Sequence, residues 1–179
     1  MDNRIKGKKI AILVDDFFEE AEMTGPRQAL EKAGASVELI TTETNQKEVQ
    51  GLNHVEKGNK FKVDKNIDEV DLDSYDALVL PGGAVNSDKL RNIDKAKDWV
   101  RSMVRDGKPV AIICHAPWIL ASAGMAAGRR ITSFPTIKDD LKNAGADWVD
   151  EEVVIDGTII TSRKPDDIPA FNKAIMSLL

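Results

Sequence analysis

Sulfur and histidine are scarce in this chain, which has one cysteine and two histidines in 179 residues. A single cysteine excludes an intrachain disulfide and a thiolate-rich zinc site, so neither staples the fold, and Cys114 can matter only as a thiol. No segment approaches the roughly 18 unbroken apolar residues of a membrane span. The start, Met1 to Lys9, is charged rather than hydrophobic, and a cytoplasmic location without membrane attachment is expected. A basic stripe is missing too: 25 Lys+Arg stand against 30 Asp+Glu, a net charge of −5, which argues against a nucleic-acid partner. There is no internal repeat and no low-complexity tract. What remains fits one domain over residues 1–179, 42% apolar, with small molecules or proteins as partners.

Short β-branched runs alternate with longer helical patterns, which predicts an α/β fold. Lys9 to Val14 is apolar on both faces, as a strand in the middle of a covered parallel sheet should be. A helix is expected after Thr24-Gly25-Pro26, with Ala29, Leu30 and Ala33 on one face and Gly34 closing it. Val37 to Ile40 reads as the second strand, and the polar stretch from Thr41 to Asp64 as a hairpin or irregular excursion. Tyr75 to Leu80 is another buried strand, ending at Pro81-Gly82-Gly83. Helical periodicity through Ala96, Trp99, Val100 and Val104 leads to the strand Pro109 to Ile113. That strand runs into Cys114-His115-Ala116-Pro117 and a helix over Trp118 to Met125. A short strand at Ile131 to Ser133, a helix at Ile137 to Ala144, a strand pair about Asp156-Gly157 and a terminal helix from Ile168 complete the pattern.

Cys114 falls at the carboxyl end of a central strand, where open α/β sheets present their ligand crevice, and just before a helix whose N-terminus would lower the thiol pKa. A tight elbow there brings the adjacent His115 round as general base or acid. His54 lies in the polar excursion and reads as solvated. After the first strand comes Asp15-Asp16-Phe17-Phe18-Glu19-Glu20-Ala21-Glu22, five carboxylates in eight residues. Asp15, Asp16 and Glu20 read as a solvated loop. Glu19, beside two phenylalanines, is the expected desolvated carboxyl that stays protonated and donates to a thiolate. Gly82 and Gly83 allow close backbone approach to a ligand, so that the N–H groups of Gly83 and His115 converge on one oxygen. Asp88 reads as a cap or first residue of the next helix, and Trp99, Trp118 and Trp148 as core or interface.

These residues carry a resemblance. Phe18-Glu19-Glu20-Ala21-Glu22, Ala77 to Gly83, Ile112 to Pro117, Ile137 to Leu141 with Asn143 to Ala146, and Thr161 to Asp167 together resemble the ThiJ/PfpI family of the class I glutamine-amidotransferase-like superfamily. The closest resemblance is to its PfpI-type intracellular-protease and general-stress-protein branch, over nearly the whole chain. The resemblance implies a flavodoxin-like sandwich, a mostly parallel sheet with helices on both faces. It puts the nucleophile on Cys114, its histidine on His115 and the thiol-contacting glutamate on Glu19, with Asp88 as the acid a neighbouring chain contributes. It also implies a homodimer or higher homo-oligomer, and neither cofactor nor metal. Asp88 stands where peptidase relatives have glutamate, Ala84 to Ser87 is one residue longer than their loop, Ala116 replaces a common glycine, and Gly51 to Asp64 exceeds the usual hairpin.

Fold alone does not select a reaction, and three functions stay open. The first is a stress-protective, cofactor-independent thiol enzyme acting on reactive carbonyls or glycated amines, a deglycase or glyoxalase. The second is a cysteine peptidase or amidase. The third is a redox sensor or protective binding protein in which Cys114 is oxidised to sulfinate and Glu19 hydrogen-bonds the product.

Overall fold

The computed structural model describes residues 5–179; Met1 to Arg4, the beginning of the charged N-terminal stretch, lie outside the described residues. The central sheet is built from apolar runs too short for helices and rich in β-branched residues. They are β1 (Lys9–Leu13), β3 (Ser36–Thr41), β7 (Ala77–Leu80), β8 (Val110–Ile113) and β12 (Ile159–Ser162), extended by the short β6 (Lys65–Asn66) and by β11 (Val153–Asp156). Their order across the sheet is β11-β12-β8-β7-β1-β3-β6, all parallel except for the antiparallel β11–β12 pair.

Both faces of this sheet are covered, which is why its strands read as continuous hydrophobic runs. Side chains alternate between the faces with period two. Ala11 and Leu13 of β1 and Val110 and Ile112 of β8 join Trp99, Val100, Met103 and Leu120 on one face, beneath α3 (Asp94–Arg105) and α4 (Trp118–Ser122). Ile10, Ile12, Ala111 and Ile113 join Met23, Leu30, Phe171 and Ile175 on the other, beneath α1 (Glu20–Lys32) and α6 (Ile168–Leu178). The flavodoxin-like arrangement with helices on both faces is as expected. The chain lays β3 and β6 to one side of β1 and then returns to place β7 on the other, so the connections diverge between β1 and β7. That is where an open α/β sheet leaves a crevice at its strand ends.

Two departures shape the site. Helix α1 begins at Glu20 rather than after Thr24-Gly25-Pro26, and carries Pro26 in its interior. An interior proline gives up one amide hydrogen bond and its ring crowds the carbonyl four residues back, a cost set against the burial of Glu22, Met23, Pro26 and Leu30, the stripe that holds the helix on the sheet. The polar excursion is a hairpin: β4 (Glu48–Asn53) and β5 (Glu56–Lys62) pair antiparallel about a two-residue turn at His54 and Val55. It joins the two-residue β2 (Phe18–Glu19) in a separate three-stranded sheet. Two further short elements, β9 (Arg130–Ile131) and β10 (Asp147–Trp148), pair beside α5 (Lys138–Asn143) as a sheet of their own, and β9 lies against β11, with Arg130 N–H donating to Asp156 Oδ2 at 2.8 Å. The short strand expected at Ile131 to Ser133 instead starts at Arg130 and ends at Ile131, so that only Ile131 is shared. Asp88 neither caps nor begins a helix: it lies inside α2 (Ala84–Leu90), whose N-cap is Gly83.

Candidate active site

Cys114 follows β8 in a left-handed backbone conformation, φ +66°, which a side-chain-bearing residue adopts only where its surroundings compel it. They do so on both sides: Cys114 N–H donates to Ser162 O at 3.0 Å, and Cys114 O accepts from Phe134 N–H at 2.8 Å. The turn brings His115 Nδ1 to 3.1 Å from Cys114 Sγ. The imidazole lies against Phe134, rings stacked with centroids 4.7 Å apart, and meets Trp118 edge-on at 5.4 Å. Burial lowers the His115 pKa and keeps the ring neutral. Its Nε2 is 3.3 Å from Thr136 Oγ1; with the proton on Nε2, Nδ1 is free to accept from the thiol.

The carboxyl beside the thiol belongs to Glu22, not to Glu19. Glu22 is fully buried in the first turn of α1, accepts the Gly82 N–H on Oε1 at 3.0 Å and lies close enough to the Cys114 thiol for each to shift the other's titration. Its other oxygen, Oε2, has no hydrogen-bond partner. Desolvation, reinforced by the nearby Glu19 charge, pushes the Glu22 pKa up to about 8, against the pull of the Gly82 amide and the thiol. At neutral pH Glu22 is a carboxylic acid that can donate. The signal for it was in the sequence: with a helix starting at Glu20, Glu22 falls at i with Pro26 and Leu30 at i+4 and i+8, a glutamate on the apolar stripe.

Glu19 faces elsewhere in the same pocket. Its carboxylate accepts the His54 N–H, at 3.1 Å for Oε2 and 3.3 Å for Oε1. Glu20 holds the same hairpin by accepting from Asn59 N–H at 2.8 Å and Asn59 Nδ2 at 2.7 Å. The acidic run is therefore not a solvated loop. Asp15, fully buried, accepts from Thr41 Oγ1 at 2.7 Å, from Thr42 N–H at 2.9 Å and from Thr42 Oγ1. Asp16 Oδ1 accepts the Gln50 N–H at 2.8 Å.

The thiol pKa also departs from expectation. Helix α4 starts four residues beyond Cys114, and burial, followed by the Glu22 charge, pushes the thiol up. The opposing pull comes from the N–H groups of Gly83 and His115. The two amides expected to face a ligand oxygen both act on the sulfur itself. The glycines are required by close approach: a Cβ on Gly82 would meet Glu22 Oε1 at 2.7 Å, and one on Gly83, φ +84°, would meet Glu19 N at 2.7 Å.

The thiol opens onto a cavity of about 920 Å³. Its walls are the hairpin residues Leu52 to Val55, Gly83 to Val85 at the start of α2, Phe134, and Lys164 to Asp166. Asp88 does not line it; exposed on α2, it borders a separate surface depression with Glu43, Arg91 and Asn92. Among the described residues no three His, Cys, Asp or Glu side chains gather as a metal centre would require.

Strand, strained cysteine, neighbouring histidine and buried glutamate occur here in one chain whose residues 8–178 match the DJ-1/PfpI family. The chain belongs to that family. Among DJ-1/PfpI relatives, it is 45% identical over 172 residues to YraA of Bacillus subtilis, which carries a cysteine-protease name, covering 96% of this chain and 98% of that one. It is 44% identical over 174 residues to protein/nucleic acid deglycase 2 of Escherichia coli, covering 96% and 98%. Among solved DJ-1/PfpI structures, Drosophila melanogaster DJ-1beta superposes with a TM-score of 0.86 at 30% identity, over 95% of this chain and 89% of that one.

Proposed function

We propose that this protein is a cysteine-dependent deglycase, which removes early carbonyl adducts from amines and processes free α-oxoaldehydes. The observation that carries the reading is the buried, proton-bearing Glu22 beside the Cys114 thiol, with His115 Nδ1 3.1 Å from the sulfur. Such a site keeps the sulfur protonated until His115 takes its proton, and supplies an acid beside it. The name of the E. coli deglycase, at 44% identity over nearly the full length, supports it.

The chemistry follows from these groups. His115 Nδ1 takes the thiol proton. The thiolate attacks the carbinol carbon of an adduct R–NH–CH(OH)–C(O)–CH3; the C–S bond forms, the C–N bond breaks, and a proton from His115 or Glu22 leaves with the amine. The hemithioacetal then moves its C1 proton to C2 through an enediol, giving a lactoyl thioester, and water releases lactate and the thiol. Carbon oxidation at C1 balances reduction at C2, so no external redox partner enters. Free methylglyoxal enters the same path by addition of the thiolate to its aldehyde.

Asp88, exposed and outside the pocket, can join this chemistry only from a second copy of the chain, and the proposal includes a homo-oligomer for that reason. Among the described residues no helix is long and apolar enough to cross a membrane. The peptidase reading is the second one, favoured by the 3.1 Å approach of His115 to the thiol and by the name YraA carries. The test is lactate formation from methylglyoxal in amine-free buffer, with recovery of free amine from a preformed adduct, for the protein and for Cys114→Ala. Cysteine-dependent lactate and amine are expected. Their absence alongside cysteine-dependent cleavage of a peptide panel would replace the deglycase with a peptidase, and absence of all turnover with selective peroxide oxidation of Cys114 would leave the redox role.

A further inference from the structure

We infer that Thr136 is the positioning residue of His115: its hydroxyl accepts the Nε2 proton, which leaves Nδ1 open to take the proton of the Cys114 thiol and holds the charged ring that results. The inference rests on the Cys114–His115 chemistry proposed above and supplies its third member from within the same chain.

The turn after Ser133 is built around the imidazole. Phe134 N–H donates to Cys114 O at 2.8 Å, and the Phe134 ring stacks on His115 with centroids 4.7 Å apart. Pro135 then opens a single helical turn, Pro135–Ile137, a position its fixed φ suits, and the buried Ile137 anchors the far end. Thr136 is exposed between them and brings Oγ1 to 3.3 Å from His115 Nε2. One short segment thus fastens the elbow, covers the face of the ring and reaches its outer nitrogen, while the inner one, Nδ1, stands 3.1 Å from Sγ.

The charged groups around the ring are committed elsewhere. Asp140 of α5 accepts from Trp118 Nε1 at 2.7 Å. Arg91, just past α2, lies over the Trp118 ring and donates to Ser122 Oγ at 2.9 Å. Across the cavity, Lys164 Nζ and Asp166 Oδ2 are 3.6 Å apart, Glu19 accepts the His54 N–H and Glu22 the Gly82 N–H. The family resemblance leaves the outer nitrogen to an acid from a neighbouring chain; among the described residues the group that stands there is the Thr136 hydroxyl.

A neutral imidazole carries one proton, and the partner of one nitrogen sets the state of the other. With Oγ1 accepting at Nε2, the ring presents a lone pair to the thiol. When the thiol proton moves to Nδ1, the sulfur becomes thiolate and the ring imidazolium. Both ring N–H groups then have acceptors, the thiolate and Oγ1, and the hydroxyl's own proton turns to solvent. Burial opposes that charged ring, and a hydrogen bond from a charged donor is of the stronger kind.

Thr136→Val puts a methyl group where the hydroxyl stands and so keeps water out of its place, whereas Thr136→Ser retains the hydroxyl. Alkylation by iodoacetamide, read at the Cys114 peptide by mass spectrometry, is followed from about pH 6 to about pH 10. Near neutrality His115 takes the thiol proton and the rate is flat; at higher pH hydroxide takes it and the rate climbs about tenfold per unit. In Thr136→Val the flat segment should fall about tenfold and lactate formation at neutral pH with it, while the climbing segment stays, so the bend moves down by about one pH unit. Thr136→Ser should restore the parent profile. In a second measurement the ring nitrogens are read by NMR of histidine-labelled protein, the His54 signals being identified in His115→Gln. The parent should carry the His115 proton on Nε2, and Thr136→Val should shift it toward Nδ1.

A flat segment unchanged within twofold in Thr136→Val, or an equal loss on both segments, overturns the assignment. So does a fall of the flat segment in Asp88→Asn but not in Thr136→Val, which gives the outer nitrogen to an acid of a second copy. The expected alkylation and NMR changes in a protein that forms neither lactate nor free amine overturn the deglycase reading and leave the role of Thr136 standing, so the two fail separately.

Discussion

Gly82 and Cys114 are packed so closely that a Cβ on the glycine would stand 2.5 Å from the Cβ of the cysteine and 2.8 Å from the Ile113 carbonyl oxygen. The end of β7 and the elbow after β8 therefore share one van der Waals layer, and the Gly82 amide reaches Glu22 through it. Gly82→Ala drives its Cβ into the Cys114 Cβ, Glu22 Oε1 and the Ile113 carbonyl. It is expected to lower stability by about 1–3 kcal/mol and to reduce carbonyl turnover at least a hundredfold by displacing the thiol; urea denaturation and the lactate assay measure the two effects.

The elbow stores strain at Cys114. A left-handed residue with a side chain costs roughly 1–2 kcal/mol that glycine does not incur. Cys114→Gly should therefore melt above Cys114→Ala by about 1 kcal/mol equivalent in a thermal unfolding comparison, although both lack the thiol and are inactive. Equal melting temperatures would mean that the φ of +66° is unstrained.

Glu22 ties stability to pH. Its pKa in the fold, about 8, lies above the ordinary glutamate value of 4.5, so the native state holds a proton that the unfolded chain releases. Its contribution is fully present below about pH 4.5 and is lost as pH rises toward 8, at up to about 1.4 kcal/mol per unit. Glu22→Gln cannot titrate. The fall in urea midpoint between pH 5 and pH 8 should be steeper in the parent protein than in Glu22→Gln, and matching slopes would show that Glu22 is ionised in the fold.

Asp15 has a structural part to play. Removing its carboxylate leaves the Thr41 and Thr42 hydroxyls and the Thr42 amide without their acceptor, in a place where Asp15 itself is fully buried. Asp15→Ala is expected to cost about 2–4 kcal/mol, read as a drop in urea midpoint. Because Asp15 sits where β1 meets the end of β3, alkylation of Cys114 by iodoacetamide should change less than stability does.

The apolar runs of β1, β7 and β8 were readable because a strand covered on both faces has few alternatives to β-branched residues, and Cys114-His115 was readable because it stands at the end of such a run. The acidic stretch was not. Asp15, Glu19, Glu20 and Glu22 look alike in sequence, and their separate roles depend on which groups the chain brings to them from distant positions, 26 residues away for Thr41 on Asp15 and 60 for Gly82 on Glu22. Starting α1 only after Thr24-Gly25-Pro26, seven residues beyond Glu20, because glycine and proline usually punctuate helices, hid the stripe on which Glu22 lies. Moving the helix start back to Glu20 turns that carboxyl inward.

Sequence by itself determined the α/β class, the strand that delivers Cys114, and the adjacency of His115, because these rest on local periodicity and covalent connection. Tertiary structure decided which glutamate meets the thiol, that the elbow brings His115 Nδ1 to 3.1 Å from its sulfur, and that Glu19 faces the cavity beneath the hairpin. Those are matters of desolvation and hydrogen-bond partnership between distant segments, and a carboxyl acquires its protonation state only when packing sets what surrounds it.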